Sequence, residues 1–230
     1  MRSRLVPIVS ACALAGLALV LGACGSGDHS PTHSHDDGAA AIVESNGQEP
    51  VLAAGIVRTP APEVGDLSLP NVADGGAPFA FRGPPDGVLL VFFGFTNCPD
   101  VCPTTMADLR AAIRRLPAAD RDRVAVAFIT VDPARDTGPV LTSYVRGFLP
   151  DGAALRTTDD AALRRVADAF SAAYEITEGA DGEPQVNHTT FVYAVGPDGR
   201  IIVQWPFGTP TATIAADLQL ALSAIASAAP

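Results

Sequence analysis

The chain of 230 residues contains no lysine, and it has only four cysteines, four histidines, two methionines and one tryptophan. The missing lysine, beside abundant alanine and arginine, reads as a GC-rich coding bias without mechanistic content. Basic charge is scarce altogether, with 15 arginines against 25 acidic residues. Nucleic-acid binding draws its affinity from basic surface, so this balance speaks against that class of function. It also speaks against adhesion to anionic lipid by charge alone. No internal repeat is apparent. The apolar run over residues 5–21, preceded by Arg2 and Arg4, is too short and wrongly flanked for a stable membrane span. It has the n-region and h-region of an export signal, and Cys12 falls inside it.

That run closes in Leu21-Gly22-Ala23-Cys24, which resembles the lipobox of bacterial lipoproteins. The resemblance implies a signal peptide over residues 1–23 and a mature chain that begins at a lipid-bearing Cys24. The domain would then sit at the outer face of the cell membrane. An ordinary secretory peptide, with Cys24 incidental, is the other reading. Loss of Arg2 and Arg4 leaves 13 basic residues against the 25 acids, a net charge of −12. The anchor would therefore have to be covalent.

Residues 24–54 are small, polar or acidic and show no apolar period, so they bury too little surface to order themselves. A flexible tether of that length reaches roughly 30 Å. Within it Asp28, His29, His33, His35, Asp36 and Asp37 form a cluster that suits either metal capture or a solvated linker. Residues 55–230 have the length and apolar content of one domain that folds without disulfide staples.

The order of elements in that domain points to an α/β fold. A hairpin is expected within residues 66–81. Residues 88–95 (VLLVFFGF) and 124–131 are continuous apolar runs, as for strands buried on both faces. Pro103 suits the first turn of a helix reaching residue 116, with Met106, Leu109, Ala112, Ile113 and Leu116 at helical spacing. Helices are also expected over 139–148 and from Asp159 or Asp160 to 174, with a short strand at 155–157 between them. Strands at 190–195 and 200–205 flank the turn Gly196-Pro197-Asp198-Gly199, and a helix over 211–227 closes the chain. This is the order of a thioredoxin-like fold, a central mixed sheet flanked by helices with an N-terminal hairpin extension.

Past Cys24 the only thiols are Cys98 and Cys102, in Cys98-Pro99-Asp100-Val101-Cys102, and the only imidazole past the tether is His188. Thiols at i and i+4 at a helix start share a face, and the helix N-terminus is expected to lower the pKa of at least one of them. Two thiolates suit Cu(I) or Zn(II), and an imidazole completes a three-coordinate site. A structural zinc usually takes a fourth protein ligand, and no third cysteine is present in the domain. A structural disulfide remains the other reading of the cysteine pair. In thioredoxin-like enzymes a proline faces the cysteine loop. By that analogy His188, expected to open the strand at 190–195, occupies the facing position within reach of both thiols.

Three stretches then carry a resemblance to one family. Residues 93–104 (FGFTNCPDVCPT), residues 128–137 (FITVDPARDT) and residues 187–191 (NHTTF) closely resemble, in the same order, the signatures of the Sco/SenC copper-chaperone family. The resemblance runs over about residues 65–222. It implies a thioredoxin fold that binds copper through Cys98, Cys102 and His188 and helps to build the binuclear copper centre of cytochrome c oxidase. Its partners would be the copper-bearing oxidase subunit and a thioredoxin-like reductant that keeps the thiols reduced. Asp132 matches an aspartate linked to the copper site in the family, although an Asp-Pro at a strand end is often only a turn. Asp136 is expected to fix the loop, and Asp100 either tunes the thiols or is simply solvated. Phe95 and Asn97 depart from the more frequent tyrosine and histidine without touching the three expected ligands. The competing function is a membrane-anchored thiol-disulfide reductase using Cys98 and Cys102. A peroxidase is disfavoured, because the threonine that peroxiredoxins carry three residues before the reactive cysteine is Phe95 here.

Overall fold

The structure, a computed structural model, describes residues 55–179 and 182–228. Cys24 and the cluster of His29, His33 and His35 lie outside the described residues. The two continuous apolar runs form the centre of a seven-stranded mixed sheet. Strand β3 (Val88–Gly94) is buried at every residue, and β4 (Val124–Thr130) lies parallel to it in the register Val88↔Val124 to Gly94↔Thr130. Strand β5 (Ala153–Leu155) continues the parallel set beyond β4. Antiparallel to β3 runs β8 (Val192–Val195), followed by β9 (Ile201–Trp205). The N-terminal hairpin of β1 (Ser68–Asn71) and β2 (Ala77–Ala80) adds the far edge, giving the order β2-β1-β5-β4-β3-β8-β9.

Adjacent residues of a strand point to opposite faces, and the aromatics show what covers each. Phe93 meets Phe170 of α4 (Asp160–Phe170) at 5.5 Å between ring centroids. On the other face Phe92 meets Phe128 at 5.8 Å, and Phe128 meets Tyr144 of α3 (Gly138–Phe148) at 5.5 Å. Helix α1 (Val101–Arg115) packs against α3 and against α5 (Thr211–Ala228), while the short α2 (Ala118–Arg121) connects α1 to β4. Helix α5 is long and apolar enough to cross a membrane. Here Ile214, Leu218, Ala221 and Leu222 are buried in the core, and the buried carboxylate of Asp217 accepts the Trp205 Nε1–H at 2.8 Å.

The structure corrects the expected boundaries in several places. Strand β5 ends at Leu155, where the short strand was expected to begin. Helix α1 begins at Val101, so Cys102 lies inside the helix. Helix α4 stops at Phe170, capped by Ser171 in the left-handed region (φ 56°), and does not reach Tyr174. Tyr174 opens β6 (Tyr174–Glu178), which pairs with β7 (Pro184–His188) in a separate two-stranded sheet that was not expected. His188 therefore closes β7; it does not open β8. The hairpin escapes notice because its strands are largely exposed, so the apolar alternation of a half-buried strand is weak.

Candidate metal centre

Strand β3 hands the chain directly to the cysteine loop. At Gly94 an added Cβ would stand 2.8 Å from Phe128 Cζ and 3.0 Å from Cys102 Sγ, so only glycine lets the strand pass this close to the thiol. The loop then hangs from Asp136, as expected. This buried carboxylate accepts from the Thr96 amide at 3.0 Å and from the hydroxyls of Thr96 and Thr130. Arg156, which the sequence did not single out, braces the same turn by donating to the carbonyls of Asp136 (2.7 Å) and Pro133 (2.8 Å).

Both thiols are free, Cys98 half-buried and Cys102 buried. The residue that formally caps α1, Asp100, makes no side-chain bond to the helix amides. Cys98 takes that place: its Sγ accepts the Cys102 N–H at 3.3 Å, so the helix start presents its dipole to this sulfur. Asp100 itself is exposed and meets the Thr104 hydroxyl at 3.4 Å.

Cys102 Sγ lies 3.6 Å from His188 Nε2, while His188 Nδ1 lies 2.9 Å from the Thr189 carbonyl. A carbonyl only accepts, so Nδ1 carries the proton and Nε2 turns its lone pair to the sulfur. Burial lowers the pKa of His188 below the ordinary 6.5, which keeps the ring in this neutral, ligating form at neutral pH. The thiol of Cys102 shifts the other way. Burial pushes its pKa well up, and the neighbouring Cys98 and Asp136 push the same way. The helix dipole does not prevail at Cys102, because the side chain is enclosed in the core and its own amide is already given to Cys98. The resting arrangement is therefore a protonated thiol donating to a neutral imidazole.

Asp132 is not drawn to the thiols. It is buried at the end of β4, and its carboxylate forms an ion pair with Arg135, which no sequence signal distinguished from an ordinary turn residue. Tyr144 was also missed. Among the described residues its buried hydroxyl has no hydrogen-bond partner, and burial raises its pKa. Two rings flank His188 edge-on, Phe95 at 5.9 Å and Phe92 at 6.1 Å. Among the described residues, no three His, Cys, Asp or Glu side chains stand together in a grouping ready to hold a metal ion. What is in place is the Cys102–His188 contact, with Cys98 tied to Cys102 through the amide.

The SCO1/SenC family model matches residues 76–223. A protein of Stutzerimonas stutzeri, described as a candidate copper-binding protein, is 36% identical over 112 residues, covering 49% of this chain and 54% of its own. The chain thus spans about half the length of the curated relatives it matches. The solution structure of apo Sco1 from Thermus thermophilus is similar with a TM-score of 0.61 at 34% identity, over 72% of this chain and 94% of that one. The structure of Bradyrhizobium japonicum ScoI with copper bound gives 0.57 at 29% identity, over 66% and 95%.

Proposed function

The chain belongs to the SCO1/SenC family, and from that premise we propose that it is a copper metallochaperone. In this reading it carries one copper ion on Cys98, Cys102 and His188 and delivers it to the copper-bearing subunit of cytochrome c oxidase. The observation that carries the reading is the Nε2 lone pair of a neutral His188 facing Cys102 Sγ at 3.6 Å. Copper as the cargo is further supported by the soft donor set and by the copper-bound relative from Bradyrhizobium japonicum.

Loading exchanges thiol protons for the metal. Cys102 releases its proton to solvent as sulfur bonds copper, Nε2 becomes the second donor, and the half-buried Cys98 turns in as the third. A three-ligand site at a loop leaves a position open to an incoming ligand, so the ion can pass to a recipient one bond at a time, which a closed four-ligand site resists. Oxidation of Cys98 and Cys102 to a disulfide removes both thiolates, so outside the cytoplasm the protein depends on a thioredoxin-like reductant. Asp132, engaged by Arg135, influences the site from outside the ligand set.

The test is deletion of the gene, followed by oxidase activity with and without added copper, complemented by His188→Ala. Activity restored by copper, together with failure of the His188→Ala protein to complement, is the expected result. The thiol-disulfide reductase reading predicts instead that only an added thiol reductant restores activity and that His188→Ala complements. Normal oxidase activity at limiting copper after deletion would overturn the delivery role.

A further inference from the structure

The strand that carries His188 is held by few contacts of its own. Val186 packs against the core, but among the described residues β7 pairs only with β6, outside the main sheet, and most residues of both are exposed. At the His188 end the backbone is pinned, since Thr189 N donates to the Ala173 carbonyl (2.8 Å) and Ala173 N to Thr189 Oγ1 (2.9 Å). At the far end Arg135 Nη1 donates to the carbonyl of Pro184, the first residue of β7, at 3.4 Å. Arg135 is itself anchored by the ion pair with buried Asp132 at the end of β4. Its guanidinium also lies over the Phe95 ring at 5.9 Å, and Phe95 in turn meets the His188 ring edge-on (89° between planes).

We infer that Arg135 is the positioning residue that holds His188 against Cys102, joining the end of β4, Phe95 and the β6–β7 hairpin in one clasp. The inference rests on the reading of Cys98, Cys102 and His188 as the copper site. The geometry asks for arginine in particular: a planar fork can pair with a carboxylate, donate to a carbonyl and stack on a ring together, whereas lysine supplies only the charge. If Arg135 served only to neutralise Asp132, lysine would replace it and His188 would be unaffected.

Arg135→Lys keeps a cation for Asp132, and the pair Asp132→Asn with Arg135→Gln removes the ion pair without stranding a buried charge, should the first variant fold poorly. In the reduced, metal-free full chain, the ring resonances of His188 and its contacts to Phe95 are measured by NMR. They are expected to change in either variant while the bulk of the spectrum is retained. Unchanged His188 resonances would overturn the inference whatever the protein does with copper. In competition with a Cu(I) chelator, Arg135→Lys should weaken binding about ten-fold and should cause no further loss in a His188→Ala background. Equal loss in both backgrounds would reassign Arg135 to general stability. A His188→Ala protein that binds copper as tightly as the parent would refute the site reading instead, leaving the NMR result to decide the role of Arg135.

Discussion

His188 and Cys102 touch, and burial favours the neutral form of each, lowering the pKa of the imidazole and raising that of the thiol. The consequences for stability have opposite signs in pH. Below the ordinary histidine value of 6.5 the unfolded chain takes a proton that the folded protein refuses. Stability from this group is therefore complete above 6.5 and falls as the pH drops through it. Above the ordinary thiol value of 9.0 the unfolded chain releases the Cys102 proton while the folded protein keeps it, so stability declines as the pH rises beyond 9.0. Tyr174 and Tyr193, both pushed up to about 12, add to that decline only above the ordinary tyrosine value of 10.0. Melting of the reduced, metal-free domain across about pH 5 to 10 should trace a plateau between the two limits. His188→Ala should flatten the acid side and Cys102→Ala the onset of the alkaline side; an acid side that His188→Ala leaves intact would assign it to another group. Cys98, Cys102 and His188 were conspicuous through scarcity, as the only thiols and imidazole of the domain. Arg135 and Tyr144 were not, because an arginine in a turn and a tyrosine on a helix acquire meaning only from what folds against them.

At the scale of elements the site is a junction of one strand end, one turn and one helix start. The turn after β4 holds this junction, because Asp136 gathers the Thr96 amide and the hydroxyls of Thr96 and Thr130. Truncation by Asp136→Ala leaves the buried Thr130 hydroxyl without its acceptor, at a cost of about 1–3 kcal/mol, while the amide and hydroxyl of the half-buried Thr96 can turn to water at a smaller loss. We expect a loss of about 2–4 kcal/mol by urea denaturation, with weaker copper binding as Thr96 releases the cysteine loop. A loss below about 1 kcal/mol would show that water replaces the carboxylate. The central elements were readable because strands buried on both faces keep continuous apolar runs, and β3 and β4 lie within a residue of their expected limits. The β6–β7 hairpin was not, although Tyr174-Glu175-Ile176-Thr177 does alternate. Beyond Tyr174 and Val186, which pack on the core, it is fixed by hydrogen bonds at Ala173 and Thr189 and by the reach of Arg135 to Pro184, and no apolar period records these bonds.

At the scale of the whole molecule the open term is place. Cys98, Cys102 and His188 lie in the domain, while Cys24 and the acidic, histidine-bearing segment 24–54 precede the described residues, and their reading rests on sequence alone. If Cys24 bears lipid, donor and membrane-bound recipient share one surface. The segment then sets an effective concentration that, for short flexible linkers, reaches the millimolar range. Free diffusion would have to match this with protein in solution, and a chain of net charge −10 finds no help from an anionic membrane. Anchoring should thus affect delivery and leave binding untouched. Cys24→Ser is expected to release the protein into the medium, with the copper affinity of the purified protein unchanged. Oxidase activity should fall at limiting copper and recover when copper is added. Mass spectrometry of the parent protein should find acyl mass on Cys24. A released Cys24→Ser protein that sustains full oxidase activity at limiting copper would show the anchor to be dispensable, and an unmodified Cys24 in the mature parent would remove it altogether.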